Sequence, residues 1–306
     1  MTTPSGPGTG PPDSGLSVIM SERRQLINLA YRLLGSLTEA EDAVQETYAR
    51  WYSMSLEQQQ AIESPGAWLS KVASRICLNV LGSARARRET YVGAWLPEPL
   101  PDPAEWPRGG QSTADPVDQV TLDESVSMAF LVMLESMSPA ERVAFILHDV
   151  FGYPFAEVAE VTGRTPGACR QLASAARRRV RSGQPPAPAT ARQASIVSGF
   201  RQAWEAKDIG ALIGLLDPAA SLTGDGGALT GPIEGGELVA SFLADLARAA
   251  HGHVRLLERI VNGQPGLVAQ QDGVTVVVYA FEIAGDQITR IWAILNPGKL
   301  RPWVTG

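Results

Sequence analysis

The chain has few of the residues on which metal centres and disulfide frameworks depend. It contains only two cysteines and three histidines in 306 residues, and Cys77 and Cys169 both fall on apolar stripes of predicted helices. We expect them to be reduced core residues of a cytoplasmic protein rather than a disulfide or a redox switch. His148 has no cysteine pair near it, so the sequence predicts neither a metal site nor a cofactor.

Long apolar runs are absent as well. No stretch of 18 apolar residues occurs, so no membrane span and no membrane partner are expected. The opening MTTPSGPGTGPPDSG has no apolar signal core, and residues 1–20 are expected to form a disordered tail. Apolar residues make up 44% of the chain, which is enough for two or three domains with cores of their own.

Positive charge is scarce overall but concentrated locally. The formal net charge of −6 taken alone argues against a nucleic-acid-binding protein. However, eight acidic residues and one basic residue lie between Tyr91 and Ser136, whereas eight basic residues and no acidic ones lie between Arg164 and Trp204. Local patches rather than the total charge decide contact with phosphates, so the second segment is a candidate DNA-binding region.

Residues 155–181, FAEVAEVTGRTPGACRQLASAARRRVR, predict two short helices around a tight turn. Pro154 is expected at the first position of the first helix and Gly163 at its end, and Thr165 is expected to cap the second helix. The second helix has an apolar stripe on one side and a basic one on the other, which is typical of a helix-turn-helix; a helical hairpin with a solvated arginine face is the alternative. The residues expected to bind DNA are Arg170, Gln171, Ser174, Arg177 and Arg178.

Amphipathic helices are also predicted in residues 21–90. A helix from about residue 39 to 52 has a polar outer face, which is either solvated or a docking surface for a basic partner. This face consists of Asp42, Gln45, Glu46 and Arg50. A later helix begins at Ser64–Pro65 and ends in a cluster that suits phosphate contact, with a solvated cluster as the alternative. The cluster consists of Arg85, Arg87 and Arg88.

Residues 91–120 are too rich in proline to be helical, yet they contain aromatic residues that a free linker would not usually expose. We expect an extended segment that packs on another part of the chain; a tether with incidental aromatics is the alternative. A second helical domain is expected over residues 121–183, and residues 184–191 are expected to form a flexible connector.

Residues 192–306 predict helices followed by three alternating runs, HVRLLERIV, GVTVVVYAFEI and QITRIWAIL. Turns are expected at Asn262–Gly263, Asp272–Gly273 and Gly285–Asp286. This order predicts an α+β layer fold with an antiparallel meander. The groups that an enzyme of this fold could use to move a proton are Asp225, His251, His253 and Asp272. Because turn chemistry alone explains the aspartate of GDGG, no enzymatic activity is expected.

The order of these segments resembles that of bacterial sigma factors. DAVQETYARW at residues 42–51 looks like their polymerase-binding helix, residues 65–88 resemble their minus-ten-reading helix, and residues 155–181 resemble their minus-thirty-five-reading domain. The set matches the small extracytoplasmic-function class. The resemblance implies that the outer face at Asp42 binds core RNA polymerase and that Asn79 joins the arginine cluster at the minus-ten element. Asn79 and Gly82 stand where members often carry an aspartate and an arginine, and asparagine can still hydrogen-bond a base.

The string YVGAWLPEP at residues 91–99 is similar to the linker of the subgroup that has a fused SnoaL-like extension, a cone-shaped fold with a curved, mostly antiparallel sheet around a pocket. The resemblance implies that the extension contacts the sigma domains and modulates their activity. The expected regulatory contacts are Tyr91, Trp95, Leu96, Pro97, Asp225, Gly226, Gly227, Asn296, Pro297 and Lys299. Leu229 and Gly298 replace a lysine and an aspartate of the subgroup's motifs, which argues against a contact based on those two charges.

The sequence is therefore interpreted as an alternative sigma factor with core RNA polymerase, promoter DNA and its own C-terminal domain as partners, and with a small ligand in the C-terminal pocket. A one-component regulator that binds DNA through residues 155–181 and a small ligand through its C-terminal domain is a second hypothesis, but it leaves residues 42–51 and the linker unexplained. A cyclase or isomerase fused to a DNA-binding module is a third hypothesis, and it needs a pocket with a desolvated carboxylate.

Overall fold

A computed structural model of the chain describes residues 13–88, 94–102, 126–182, 190–226, 231–249 and 254–303. Within these ranges the side chains of residues 13–21, 84–88 and 182 are not described. The first half of the chain is helical, and the part that follows residue 190 combines helices with a sheet. No helix in the described ranges is both long enough and apolar enough to cross a bilayer.

The first helical unit consists of α1 (Asp13–Leu34), α2 (Leu37–Tyr52), α3 (Leu56–Gln60) and α4 (Pro65–Arg88). Gly35 ends α1 with a φ of 69°, a left-handed conformation that glycine adopts without steric cost. Ser36 then caps α2, because its hydroxyl accepts a hydrogen bond from the backbone N–H of Glu39. Since α1 begins at Asp13, the prediction of a disordered tail is wrong for residues 13–20, where neither proline nor glycine follows Gly15.

The second helical unit consists of α5 (Met128–Glu135), α6 (Pro139–Phe145), a π turn (Ile146–Val150), α7 (Phe155–Thr162) and α8 (Pro166–Ser182). Residues next to the helix ends form the caps of these helices. Ser138 and Glu141 form a capping box at the start of α6, and Gly163 takes a φ of 65° after α7. Pro154 is the N-cap of α7 rather than its first residue, because its ψ of 146° is extended. The predicted boundary there is wrong by one residue.

The two helical units share one apolar core. Buried side chains from α1, α2, α4 and from α6 to α8 belong to a single cluster. Arg142, which is 3% exposed, lies where the units meet; it donates to the backbone oxygen of Leu33 at 2.9 Å and pairs with Glu135 at 2.6 Å. A guanidinium group can be buried here because its charge is paired with Glu135 and one of its terminal nitrogens donates to both partners. The two units therefore form one closed body.

The C-terminal domain contains α9 (Ala191–Ala206), α10 (Ile209–Leu215), α11 (Gly236–Ala249) and the strands β1 (Leu216–Asp225), β2 (Ile233–Glu234), β3 (Val254–Val261), β4 (Gln264–Gln271), β5 (Val274–Ala284) and β6 (Gln287–Ile294). The strands form one sheet in the order β2-β1-β6-β5-β4-β3. β1 and β6 are parallel, and the other neighbouring strands are antiparallel. The predicted α+β fold with a mostly antiparallel sheet is confirmed.

The strand β4, which lies between the two-residue turns Asn262–Gly263 and Asp272–Gly273, was not predicted from the sequence. It contains Pro265 and Gly266, residues that normally discourage a strand. A Cβ atom at position 266 would lie 2.5 Å from Cγ2 of Val261 and 2.7 Å from the backbone oxygen of Tyr279. Glycine is therefore required by the close approach of the neighbouring strands.

The two faces of the sheet pack against different parts of the chain. One face packs against α9, α10 and α11 and forms the core of the domain. The opposite face, which includes Val278 and Trp292, packs against Leu96 of the linker and Met128 of α5. Alternate residues of β5 and β6 thus serve two separate cores, as the two-residue period of a strand requires.

The close approach at β4 generates a prediction for Gly266. We expect Gly266→Ala to lower the free energy of unfolding of the C-terminal domain by about 1–3 kcal/mol, because its methyl group would meet backbone and Val261. Gly214→Ala is the matched control, since no atom lies within 4 Å of the added Cβ in α10. The control should be neutral or slightly stabilising. Equal denaturation midpoints for the two variants would contradict the packing of β4.

Candidate nucleic-acid interface and linker junction

The polar face of α2 is accessible. Asp42, Gln45, Glu46 and Arg50 are all exposed, and Glu46 and Arg50 form an ion pair of 2.6 Å along the helix. On the opposite side, Ala40, Ala43, Val44 and Trp51 are buried in the helical core. The predicted polymerase-binding residues therefore share one surface that is free to dock a partner.

The basic face of α8 is positioned by the turn before it. The hydroxyl of Thr165 accepts a hydrogen bond from the backbone N–H of Ala168 at 3.2 Å and caps the helix. The apolar stripe of α8 is fixed in the core, with Cys169, Ala173 and Ala176 at 0% exposure. Four of the five predicted DNA-binding residues are exposed: Arg170, Gln171, Ser174 and Arg178.

Arg177 is the exception on this face. It is half-buried, and its Nε atom lies 2.9 Å from a carboxylate oxygen of Asp149 in the π turn. In this arrangement its guanidinium supports the fold of the second unit, so its predicted contact with DNA would need that ion pair to open.

The face of α4 contains more basic residues than the sequence analysis singled out. Asn79 is exposed as predicted, while the side chains of Arg85, Arg87 and Arg88 lie outside the described part of this helix. Lys71 forms an ion pair with Glu160 of α7, and Arg75 donates to the backbone oxygen of Glu160 at 2.7 Å. No local pattern could indicate these contacts, because their partner is more than 80 residues away.

The linker residues 94–102 form an extended segment between the first helical unit and the C-terminal domain. Leu96 to Pro101 are all buried, although the segment has no helix or paired strand of its own. On the side of the first unit, the N–H of Glu98 donates to the backbone oxygen of Gly35 at 2.8 Å. The hydroxyl of Tyr31 donates to the backbone oxygen of Glu98 at 2.7 Å. The prediction of a packed linker agrees with this arrangement.

The C-terminal domain binds the other side of the same segment. Asn262 accepts a hydrogen bond from the N–H of Leu100 at 3.1 Å, donates its own N–H to the backbone oxygen of Leu100 at 2.9 Å, and donates its amide to the hydroxyl of Tyr31 at 2.9 Å. The indole N–H of Trp303 donates to the backbone oxygen of Pro99 at 2.8 Å. We call these contacts around residues 94–102 the linker junction.

The carboxylate of Glu98 reaches from the linker to the start of α2. It accepts hydrogen bonds from the N–H of Leu37 at 2.8 Å and from the hydroxyl of Ser36 at 3.2 Å. Burial raises the pKa of Glu98, and these hydrogen bonds oppose the rise. A linker residue thus satisfies donors at the amino end of α2, where a helix leaves N–H groups without partners.

Lys299 joins the C-terminal domain to the linker through a buried ion pair. Its ammonium group contacts the carboxylate of Asp225, which has no exposed surface, and the backbone oxygen of Leu96. It also lies 4.2 Å from the ring centroid of Trp95, within the range of a cation–π interaction. The explanation of Asp225 by turn chemistry alone is therefore wrong, because Asp225 ends β1 and balances a buried charge.

The backbone around Lys299 is set by its neighbours. Asn296 accepts a hydrogen bond from the N–H of Gly298 at 2.9 Å and caps the short 3₁₀ turn Pro297–Lys299. Gly226 follows Asp225 with a φ of 91°. Thus Trp95, Leu96, Asp225 and Lys299 meet directly, while Gly226, Asn296 and Pro297 shape the chain beside them. Pro97 is buried in the same segment.

Some predicted residues fall elsewhere. Tyr91, Gly227, His251 and His253 lie outside the described residues. Asp272 lies in an exposed hairpin turn with a φ of 51°, away from Asp225 at the end of β1. Because Asp225 is paired with Lys299, the candidate acids and bases do not form a catalytic site among the residues that the structure describes.

Aromatic side chains occupy the space between the sheet and its helices. The rings of Phe200 and Phe281 are 5.4 Å apart between centroids, and those of Trp204 and Tyr279 are 5.2 Å apart. The indole N–H of Trp204 donates to the backbone oxygen of Leu243 at 2.6 Å. A small ligand in this part of the domain stays a prediction from the sequence.

Comparisons with known proteins agree with the arrangement of the helices. The model of Sigma-70 region 2 matches residues 18–88, and that of Sigma-70, region 4 matches residues 127–180. The ECF RNA polymerase sigma factor SigJ of Mycobacterium tuberculosis is 37% identical over an alignment of 298 positions, and the match covers 90% of each chain. The probable ECF RNA polymerase sigma factor SigI of the same species is 34% identical over an alignment of 286 positions, and the match covers 92% of this chain and 93% of that one.

A solved structure matches the whole arrangement. The crystal structure of the Mycobacterium tuberculosis extracytoplasmic function sigma factor SigJ superposes with a TM-score of 0.72 and 33% sequence identity. The match covers 94% of this chain and 98% of that one, so it includes the helical units and the C-terminal α+β domain.

The buried ion pair generates a prediction for Lys299. We expect Lys299→Met to lower the free energy of unfolding by about 3–5 kcal/mol, because it leaves the charge of Asp225 buried without its partner. Adding Asp225→Asn should recover part of this loss, since both charges are then gone. The control is Arg192→Met, which removes an exposed ion pair with Asp286 and should change little. Chemical denaturation measures all three, and a loss for Lys299→Met no larger than for the control would contradict the role of the pair.

Proposed function

We propose, on the premise that this chain belongs to the extracytoplasmic-function (ECF) family of RNA polymerase sigma factors, that it directs promoter-specific initiation and that its C-terminal domain restrains it. In this proposal residues 21–90 bind core RNA polymerase and the minus-ten element, and residues 121–183 bind the minus-thirty-five element. Residues 192–306 form the SnoaL-like regulatory domain, joined by the linker at 91–120 and the connector at 184–191.

The exposed face of α2 supports the assignment of the polymerase contact. Its two carboxylates, Asp42 and Glu46, lie one turn apart with Gln45 beside them. The buried side of the helix is fixed against α1 and α4, so the exposed face presents a rigid, polar surface. Such a preorganised surface binds a partner with little loss of conformational entropy.

The basic faces of α4 and α8 support the assignment of the promoter contacts. Arg170, Ser174 and Arg178 recur at helical spacing on the exposed side of α8, and the end of α4 contains three further arginines in its sequence. Arginine side chains suit both phosphate oxygens and guanine edges.

One observation carries the regulatory part of the proposal, namely that the linker is buried between two domains. In sigma factors, as the resemblance implies, the segment between the two sigma domains runs through the polymerase. In this chain, residues 94–102 are instead enclosed by the first helical unit and the C-terminal domain. The two locations exclude each other, so engagement with polymerase requires the linker junction to open.

The cost of opening is set by buried polar groups. When the linker leaves the junction, the hydrogen bonds that Asn262, Lys299 and Trp303 make with the linker backbone are broken. Because the C-terminal domain is tethered to the sigma domains, its effective concentration at the linker junction is on the order of millimolar. Polymerase must therefore compete with an intramolecular partner that is always present.

The α2 surface generates a prediction for polymerase binding. We expect the triple variant Asp42→Ala, Gln45→Ala, Glu46→Ala to bind core RNA polymerase at least about tenfold more weakly, a change of ~1.4 kcal/mol. The control is Glu57→Ala, which removes an exposed carboxylate from α3 close by. Fluorescence titration of labelled full chain with core enzyme gives both affinities. Equal affinities would remove α2 from the interface, and no binding by the unaltered chain would overturn the sigma-factor assignment.

The linker junction generates a prediction for Asn262. Asn262→Ala removes the two side-chain hydrogen bonds, to the N–H of Leu100 and to the hydroxyl of Tyr31, so we expect an open population with a larger radius of gyration in small-angle scattering. We also expect more promoter-directed transcription with core polymerase, on a template taken from the region upstream of this gene. Asp272→Ala is the matched control, because its φ of 51° matches the 50° of Asn262 in an equivalent hairpin turn away from the linker.

The control separates backbone strain from loss of the junction. If both variants open and activate to the same extent, strain in a left-handed turn explains the effect and the junction does not. If Asn262→Ala opens the chain but lowers transcription, the C-terminal domain assists initiation and the proposed restraint is wrong.

A further inference from the structure

Lys71, Arg75 and Asn79 occupy successive turns of α4. Residues four apart on a helix lie about 5–6 Å from each other between Cβ atoms, so these three side chains form one row along the helix. Arg75 and Asn79 are exposed, and the side chain of Lys71 retains 36% of its accessible surface. The row points to a polar surface on the amino-terminal half of α4, ahead of the arginine cluster at its end.

The acidic partner of this row comes from the second helical unit. The carboxylate of Glu160 pairs with Lys71, and the backbone oxygen of Glu160 accepts a hydrogen bond from Arg75 at 2.7 Å. That oxygen is among the last four carbonyls of α7, which have no partner within the helix and lie at its negative end. The hydrogen bond from Lys71 lowers the pKa of Glu160, so the carboxylate is ionised at neutral pH.

The carboxylate and the backbone oxygen of Glu160 provide Lys71 and Arg75 with two hydrogen-bond acceptors and a negative charge. A phosphate group of a nucleic acid would provide the same. Ammonium and guanidinium groups bind carboxylate and phosphate oxygens by the same charge-assisted hydrogen bonds. Glu160 thus stands where a backbone phosphate would be bound if α4 met DNA along its whole length.

We propose that Lys71 and Arg75 form a phosphate-binding surface that extends the minus-ten contact of α4, and that Glu160 of α7 occupies this surface in the closed chain as an internal competitor of DNA. The proposal rests on the assignment of α4 to promoter contact. It adds a second restraint, made between the two sigma domains and independent of the C-terminal domain.

The contact has the properties of an exchangeable competitor. The side chains of Lys71 and Glu160 retain 36% and 56% of their accessible surface, so solvent and salt screen their attraction. Beside it lies a small crevice between α4 and α7, lined by Ser74 and Val158 among others. DNA can therefore displace Glu160 without breaking the apolar core that the two units share.

The experiment measures binding of a fluorescein-labelled single-stranded DNA of mixed sequence to the full chain by anisotropy at several salt concentrations. Glu160→Gln should bind about two- to fivefold more tightly than the unaltered chain, the range typical of an exposed ion pair. Lys71→Gln and Arg75→Gln should each bind more weakly, and the slope of log K against log salt should fall by about 0.7 for each phosphate that the variant no longer binds. Combining Glu160→Gln with Lys71→Gln should abolish the increase in affinity.

Glu157→Gln is the matched control, because it removes the same charge from the same helix one turn earlier. Its affinity should stay at that of the unaltered chain. If binding to core polymerase separates the two helical units, the same titrations with polymerase-bound chains should retain the effects of Lys71→Gln and Arg75→Gln and lose that of Glu160→Gln.

Three results would overturn the proposal. Equal increases in affinity for Glu160→Gln and Glu157→Gln would indicate a general effect of charge. Unchanged affinity and salt slope for both Lys71→Gln and Arg75→Gln would remove the surface itself, as would no binding by any free chain at low salt. A chain that binds DNA as expected but does not initiate with core polymerase would contradict the proposed function and leave this surface standing, so the two failures are distinguishable.

Discussion

The closed structure depends on how a buried, proline-rich segment satisfies its backbone hydrogen bonds. Residues 94–102 form neither a helix nor a strand, so apart from one β-bridge between Pro101 and Val261 the N–H and carbonyl groups of the segment have no regular partners. The first helical unit supplies Tyr31 and the backbone of Gly35, and the C-terminal domain supplies Asn262, Lys299 and Trp303. Neither side alone provides all of these partners. The segment can therefore be buried only while both domains are in place.

This shared dependence makes the linker junction different from the ion pair between the sigma domains. Asn262 contacts both Tyr31 and Leu100, so withdrawing the C-terminal domain leaves several buried groups without partners at once. Such an interface opens in one cooperative step or not at all. The contact between Lys71 and Glu160 is exposed, and its loss leaves both groups in water. If both contacts restrain the chain as proposed, one restraint is all-or-none and the other responds gradually to salt and to competing anions.

Local physical rules account for what could be predicted. The stop at Gly163, the cap at Thr165 and the two faces of α2 and α8 follow from residues within one or two helical turns. β4 was not predictable in the same way, because Pro265 and Gly266 argue against a strand until neighbouring strands approach them closely. The pairing of Asp225 with Lys299 joins residues 74 positions apart. Only the folded sheet brings them together, so the aspartate resembled an ordinary turn residue in the sequence.

The polar C-terminal side chains described above as binding the linker, or as pairing with a residue that does, lie at the ends of strands or after them. Asp225 ends β1, Asn262 occupies the turn between β3 and β4, and Lys299 and Trp303 follow β6. The aromatic residues between the sheet and its helices contribute to none of these contacts. Substitutions in that interior can accumulate over evolution, creating or removing a binding cavity, while the rim that touches the sigma domains is preserved. Under the proposed function, chains that share this rim can therefore place the same restraint under the control of chemically unrelated signals.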